Sequence, residues 1–215
     1  MIVVLLGPPG AGKGTQGERI AAHLGVPKIA TGDVLRAAVK AESPLGVEAK
    51  AYMNRGDLVP DAVILGIMKE ALAAPAQAKG VILDGVVRTV PQAEGLAAVL
   101  KELGRPLDVV MLFTIPNELL VERLSSRTVC DACQMPFTGK EPGLPHAGCT
   151  KSPPGILERR PDDEPVAVRN RLQVYESMTA PVVAWYREHN FKVAEIDAVG
   201  TLAEVEARAL AAVGR

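Results

Sequence analysis

Residues 7–15, GPPGAGKGT, contain the first side chains of the sequence that are suited to chemistry, Lys13 and Thr15. The apolar run before them, Ile2 to Leu6, is typical of a strand buried on both faces, and helical spacing follows from about Lys13 to Leu24. A glycine-rich turn between strand and helix directs backbone N–H groups and the positive end of the helix dipole at one point. Lys13 can follow phosphate oxygens, and the Thr15 hydroxyl can contact the phosphates or a magnesium ion. Although glycines and prolines could simply form a turn, the order of these features predicts a phosphate-binding loop.

Two further segments supply polar groups close to the ends of apolar runs. Thr31, Gly32 and Asp33 start a helical stretch with Arg36 in its first turn. Taken alone, this segment could be a helix cap followed by a surface charge.

A carboxylate, Asp84, ends the apolar run at Val81 to Leu83, and Arg88 and Gln92 lie just beyond it. A carboxylate at the carboxyl end of a strand beside a phosphate loop is well placed to order the water shell of Mg²⁺. An arginine a few residues later can bind a second phosphate.

Arginines recur in the second half of the chain. A helix is predicted over Asn117 to Ser125, with Arg123 and Arg127 one turn apart on the same face, and Arg160 and Arg171 flank an acidic pair. Each arginine alone could be an ordinary surface charge. Together with a phosphate loop they can stabilise the negative charge that spreads over oxygens during phosphoryl transfer.

Between the arginine pairs, all three cysteines of the chain lie at positions 130, 133 and 149. They are too few and too clustered for a disulfide framework, and Cys130-x-x-Cys133 is typical of a zinc-binding turn. We predict a structural zinc site formed by Cys130, Cys133, His146 and Cys149. The alternatives are a set of three thiolates with Ser152 or another donor, or cysteines that only fill space in a hydrogen-bonded segment.

The composition limits the class of protein. The 215 residues can form one core with small inserted subdomains, and the net charge of −1 gives no basic field for nucleic acid. The sequence shows neither an apolar stretch long enough to span a bilayer nor a signal peptide pattern at its start. We therefore expect a soluble cytoplasmic protein that binds neither nucleic acid nor membranes.

Apolar runs alternate with helical segments, which predicts an α/β fold with helices on both faces of a parallel sheet. We expect five strands in this sheet. They are predicted at Ile2 to Leu6, Lys28 to Ala30, Val81 to Leu83, Val109 to Thr114 and Lys192 to Ile196. Residues 31–60 are predicted to be helical, and residues 127–163 have weak periodicity, so both are interpreted as insertions.

These motifs together resemble the adenylate kinase family. The loop GxPGxGKGT has its hydroxyl one place later than the generic G-x-x-x-x-G-K-[ST] pattern, as in nucleoside monophosphate kinases. The segments TGD-x-x-R, G-x-L-V-P-D, DG-x-x-R…Q, R-[LI]-x-x-R and R-x-DD…R-x-R-L follow in the family's order across nearly the whole chain. The resemblance implies reversible phosphoryl transfer from Mg²⁺-ATP to AMP, giving two ADP, by a protein that is commonly monomeric. It also implies a P-loop-containing three-layer α/β/α fold with a core of residues 1–30, 61–126 and 164–215, an AMP-binding insertion at 31–60 and a zinc-bearing lid at 127–163.

The resemblance assigns roles residue by residue. The groups implied in transfer are Lys13, Asp84, Arg88, Arg123, Arg160 and Arg171. Those implied in ATP binding are Gly10, Ala11, Gly12, Lys13, Gly14, Thr15, Arg123, Arg127, Pro136, Phe137 and Gly200. Those implied in AMP binding are Thr31, Gly32, Arg36, Asp57, Leu58, Val59, Gly85, Val86, Val87, Arg88, Gln92, Arg160 and Arg171.

The sequence departs from the family pattern at Val86 and Val87, where the family usually has Phe-Pro, and this change is expected to loosen the loop. Two other functions remain open at this point. The first is a related kinase that accepts UMP or CMP or uses GTP as donor. The second is a regulator that binds nucleotide without turnover and docks a partner through its zinc lid.

Overall fold

The computed structural model describes residues 1–74 and 79–214. Five strands within them form one parallel sheet, as predicted, and their spatial order is β2-β3-β1-β4-β8. The strands in chain order are β1 (Ile2–Leu6), β2 (Lys28–Ala30), β3 (Val81–Asp84), β4 (Val109–Thr114), β5 (Arg127–Cys130), β6 (Pro136–Thr138), β7 (Leu157–Glu158) and β8 (Val193–Asp197). The predicted bounds of the five sheet strands are correct to within one residue.

Helices connect the strands. In chain order they are α1 (Lys13–Leu24), α2 (Thr31–Lys40), α3 (Pro44–Arg55), α4 (Asp61–Ala73), α5 (Val90–Glu102), α6 (Asn117–Ser125), α7 (Pro165–Val174), α8 (Ala180–Glu188) and α9 (Leu202–Ala212). A 3₁₀ turn spans Pro161–Asp163, and a π-helical segment, Tyr175–Thr179, joins α7 to α8. Among the described residues, no helix is both long enough and apolar enough to cross a membrane.

The sheet is the middle layer of three. On one face Val4 and Leu6 pack in a cluster with residues of α4, α5 and α8, and on the other Val3 and Leu5 pack with residues of α1 and α9. All five residues of β1 are buried, because alternate side chains of a central strand meet helices on both faces. The three-layer α/β/α fold is thus confirmed.

The residues predicted to take part in chemistry lie near the carboxyl ends of the central strands. In the parallel pairing, Leu5 of β1 lies beside Asp84 at the end of β3, and β4 flanks β1 on its other side. The loop at residues 7–12 and the residues after Asp84 therefore leave the sheet at the same edge. Ligands of open α/β sheets bind in the crevice outside the carboxyl ends of the strands.

Residues 31–60 contain α2 and α3, which pack against each other beside a small apolar cluster that includes Leu35, Ala49, Val59 and Ile64. Residues 127–158 contain a separate antiparallel sheet in the order β6-β5-β7. Weak periodicity did not predict these short strands, because two to four residues give too few alternations to detect.

Candidate active site

The loop at residues 7–12 needs glycine at two positions for different reasons. Gly12 has φ 85° and is the residue before α1, so it adopts a backbone that favours glycine while α1 begins without a side-chain cap. A Cβ at Gly7 would lie 2.5 Å from the Phe113 carbonyl oxygen. The first turn of α1, which includes Gly14 and Thr15, therefore keeps its N–H groups available for an anion.

Lys13 folds back over this loop. Its Nζ donates to the carbonyl oxygens of Gly7 at 2.7 Å and Pro8 at 2.8 Å. Burial lowers the pKa of Lys13 from 10.5 to about 8, and nearby arginines act in the same direction, whereas Asp84 opposes the shift. The ammonium group thus lies in a region that already carries excess positive charge.

Asp84 lies next to the start of α1. A Cβ added to Gly14 would be 3.4 Å from Asp84 Oδ2, so the carboxylate faces the helix turn that carries Thr15. A hydroxyl and a carboxylate are oxygen groups of the kind that bind or order the waters of Mg²⁺. The predicted proximity of Asp84 to the phosphate loop is therefore present.

Two arginines are held by an acidic pair. Arg127 Nε donates to Asp163 Oδ2 at 2.7 Å, and Arg171 Nη1 lies 2.9 Å from Asp162 Oδ2 and 3.1 Å from Asp163 Oδ1. The Asp163 side chain is only 3% exposed, so the pairs are shielded from water. These carboxylates orient guanidinium groups that also lower the pKa of Lys13.

Arg88 and Arg160 complete the cationic cluster, which we define as Lys13, Arg36, Arg88, Arg127, Arg160 and Arg171. Burial is the main cause that lowers the pKa of Arg88, and it lowers the pKa of Arg160 to about 10. Arg160 Nε is buried and has no hydrogen-bond partner among the residues that the structure describes. Asp33 pairs with Arg36, and Asp84, Asp162 and Asp163 face other members, so six cations meet four acids and the cluster is suited to a multiply charged anion.

Arg88 is held through both its backbone and its side chain. Its carbonyl oxygen accepts from Thr179 Oγ1 at 2.9 Å, and its side-chain Nε donates to the Gly85 carbonyl oxygen at 3.2 Å. Thr179 ends the π-helical segment, a feature that is frequent at functional sites. No sequence pattern indicated Thr179, because none predicted the π-helical segment.

A cleft lies between the cationic cluster and the small apolar cluster of residues 31–60. Its lining includes most of the residues predicted to bind AMP: Thr31, Gly32, Arg36, Asp57, Leu58, Val59, Gly85, Arg88, Gln92 and Arg171. Thr31 Oγ1 donates to the Gly85 carbonyl oxygen at 2.7 Å and thereby joins the two walls. Ala30, and not Thr31, occupies the cap position of α2, because Thr31 is already helical.

Val86 and Val87 lie elsewhere. Their side chains are 0% and 1% exposed and belong to the main core under the loop. Neither residue is among those that line the cleft. Their burial also runs against the expectation that replacing Phe-Pro loosens this loop.

The remaining residues predicted for ATP lie at two edges of the site. Arg123 Nη2 donates to the Ala198 carbonyl oxygen at 3.2 Å, next to the turn that contains Gly200. Phe137 packs edge-on against His146 at 4.9 Å between ring centroids, and Pro136 is exposed. Phe137 thus contacts His146, one of the predicted metal ligands, directly.

The predicted metal ligands come together. One ligand atom from each of Cys130, Cys133, His146 and Cys149 lies within 4.8 Å of the others. Cys130 Sγ and Cys149 Sγ are 3.7 Å apart, close to the roughly 3.8 Å expected between two thiolates on tetrahedral zinc with bonds of about 2.3 Å. His146 Nδ1 is 3.3 Å from Cys133 Sγ, so the histidine supplies the fourth corner of the group.

Comparison with known proteins agrees with this geometry. The family model described as adenylate kinase matches residues 5–191. An adenylate kinase from Gemmatimonas aurantiaca is 64% identical over 99% of this chain and 98% of its own length. Adenylate kinases from a Geobacter species and from Methanosarcina mazei are 43% and 45% identical, covering 99% and 90% of this chain and 99% and 89% of their own. The relatives match at least 90% of this chain, which has a phosphate loop, a cationic cluster and an adjoining cleft. The chain therefore belongs to the adenylate kinase family.

Proposed function

We propose that this chain transfers the γ-phosphoryl group of Mg²⁺-ATP to AMP and that the cationic cluster is the site of transfer. The observation that supports this most directly is that Lys13 of the phosphate loop lies close enough to Arg88, Arg127 and Arg171 for their charges to lower its pKa, while Arg88 and Arg171 also line the cleft. One phosphate chain on the loop and one phosphate from the cleft would meet there.

The cluster's chemistry is electrostatic. Phosphoryl transfer spreads charge over the attacking, transferred and leaving oxygens, and fixed guanidinium and ammonium groups stabilise that charge without exchanging protons. Because Asp162 and Asp163 hold Arg127 and Arg171 before any nucleotide arrives, little reorganisation is needed. We propose direct in-line transfer without a covalent intermediate.

The cleft is proposed to hold AMP. Arg36 and Arg88 lie at its charged end and would bind the acceptor phosphate, while Leu35, Val59 and Ile64 offer an apolar surface for the base. Gln92 is the polar side chain placed to read the base edge. The donor would lie on the loop at Gly10 to Thr15, with Arg123 and Gly200 near its distal end.

The metals have separate roles. Asp84 and Thr15 would hold the hydrated Mg²⁺ that accompanies ATP, and the ion would neutralise charge on the phosphate oxygens. Cys130, Cys133, His146 and Cys149 would hold structural zinc, because this donor set and its spacing suit a closed tetrahedral site. Residues 31–60 and 127–163 are proposed to cover the nucleotides and exclude water. A monomeric state and a cytoplasmic location stay predictions.

The proposal is tested with a panel of acceptors. Purified protein with Mg²⁺-ATP should form ADP rapidly with AMP, and roughly 100-fold less efficiently with UMP, CMP or GMP, because the cleft matches one base edge and size. A coupled ADP-forming assay measures this. A preference for UMP or CMP would support the related kinase instead, and ATP binding without any turnover would support the regulator.

The pH dependence tests Lys13 separately. Since the pKa of Lys13 is lowered to about 8 in the free protein, the charge that attracts ATP is lost as the pH rises through that value. We expect kcat/KM for ATP to fall above pH 8, whereas kcat should persist to higher pH, because bound phosphates keep the ammonium protonated. Steady-state kinetics from pH 6.5 to 9.5 at saturating AMP measure both. A kcat/KM that stays level to pH 9.5 would contradict the assignment.

A further inference from the structure

We propose that Asp61, together with the backbone N–H of Arg88, fixes the amide orientation of Gln92 and so determines which base edge the acceptor cleft admits. The proposal rests on the proposed role of Gln92 in reading the acceptor base. It concerns Asp61, at the start of α4, as a positioning residue.

The hydrogen bonds around Gln92 define the arrangement. Gln92 Nε2 donates to Asp61 Oδ1 at 2.7 Å, and Gln92 Oε1 accepts from the Arg88 backbone N–H at 2.7 Å. Thr89 Oγ1 donates to the same Asp61 oxygen at 3.0 Å and accepts from the Gln92 backbone N–H at 3.2 Å. Gln92 is 1% exposed, so neither end of its amide can turn freely into water.

The two partners of the amide are not interchangeable. An ionised carboxylate only accepts hydrogen bonds, and a backbone N–H only donates them. Reversing the Gln92 amide would place its oxygen against the Asp61 carboxylate and its NH₂ group against the Arg88 N–H. Both hydrogen bonds would be lost in a buried position, where unpaired polar groups are costly.

The fixed amide leaves one donor and one acceptor unused. Nε2 has a second N–H and Oε1 a second lone pair, and Gln92 lines the acceptor cleft. The Watson–Crick edge of adenine offers an accepting N1 and a donating amino group, which match this pair. Hypoxanthine has nearly the same size but offers a donating N1–H and an accepting O6, so it meets the amide donor to donor and acceptor to acceptor.

This inversion makes inosine monophosphate (IMP) the discriminating acceptor. Asp61→Asn keeps the size of the side chain but can donate as well as accept, so it removes one of the two constraints on the Gln92 amide and leaves only the Arg88 N–H against reversal. We expect the ratio of kcat/KM for IMP to that for AMP to rise roughly tenfold in Asp61→Asn, the change expected when about one hydrogen bond no longer discriminates. A role of Asp61 in stability alone would lower both values together and leave the ratio unchanged.

Two further variants complete the experiment. Glu70→Gln removes a carboxylate from the exposed part of the same helix and should leave both acceptors unaffected. Asp61→Ser also removes the carboxylate and keeps a residue suited to a helix start. It replaces Asp61→Asn if that variant does not fold, and the IMP-to-AMP ratio should again rise.

The outcomes separate this inference from the proposed function. If wild-type protein uses AMP but Gln92→Ala leaves the IMP-to-AMP ratio unchanged, Gln92 does not read the base and both this proposal and its role in the cleft fail. If Gln92→Ala changes the ratio while folded Asp61→Asn and Asp61→Ser do not, only the positioning role of Asp61 is overturned. A ratio that rises in the Asp61 variants and not in Glu70→Gln supports it.

Discussion

Lys13→Met is expected to lower kcat by roughly 10²- to 10³-fold, the effect typical of removing one fixed donor from a developing negative charge. Methionine has a similar length and apolar stem but cannot donate to phosphate. The fold should persist, because the Lys13 ammonium donates only to carbonyl oxygens of its own loop. Single-turnover and steady-state ADP formation measure the rate, and the thermal midpoint measures the fold.

The stability of this variant has an expected sign. The pKa of Lys13 is lowered from 10.5 to about 8, so between these values the unfolded chain binds more protons than the folded protein. Wild-type stability should therefore gain as the pH rises through this window, and at lower pH the buried charge opposes folding. Lys13→Met removes this buried charge, so the change should favour folding of the variant at neutral pH.

Lys101→Met, on an exposed position of α5, is the matched control and should keep full activity. Near-normal turnover of Lys13→Met would remove the lysine from the mechanism.

His146→Ala is expected to remove most of the zinc and to lower the thermal midpoint by roughly 5 °C, because a structural zinc site contributes its binding energy to folding. The wild-type protein should contain about one zinc ion per chain by elemental analysis. His146 is 7% exposed and supplies the only nitrogen of the four-atom group, so alanine leaves three thiolates facing a gap.

Ser152→Ala is the matched control for the zinc ligand. It alters the other side chain considered as a fourth donor and should leave zinc content and thermal midpoint unchanged. Full zinc retention in His146→Ala together with loss in Ser152→Ala would exchange the two assignments. Unchanged stability of wild-type protein after chelation would show that the cysteine-containing segment holds its structure by hydrogen bonds.

The sequence predicted the sheet well because buried parallel strands form continuous apolar runs. Ile2–Leu6 and Val109–Thr114 have the predicted bounds, and the glycine-rich loop between strand and helix lies where its spacing placed it. The order of the strands in the sheet was not predicted, because apolar runs do not specify which strands become neighbours. The grouping of Cys130, Cys133, His146 and Cys149 was predicted because thiolate and imidazole groups at short spacing have few other uses in a chain with three cysteines.

Several partners of the site residues could not be predicted, since they depend on contacts between distant segments. Asp163 was visible as part of an acidic pair, yet its bonds to Arg127 and Arg171 require that β5, the 3₁₀ turn and α7 meet. Asp61 belongs to a motif but reaches Gln92 across 31 positions. Thr179 reaches Arg88 across 91 positions, from a helix distortion that no spacing rule indicates.

The burial of Val86 and Val87 determines the order in which heat should disable the two halves of the reaction. The loop at residues 85–89 should not unfold by itself, because its movement would pull the buried Val86 and Val87 side chains out of the main core. The small sheet of β5, β6 and β7 has few apolar residues of its own, so its stability should depend on the proposed zinc site at Cys130, Cys133, His146 and Cys149. On warming, the affinity for the donor nucleotide should therefore fall several degrees before the affinity for the acceptor. Titration calorimetry of each nucleotide at increasing temperature measures the difference.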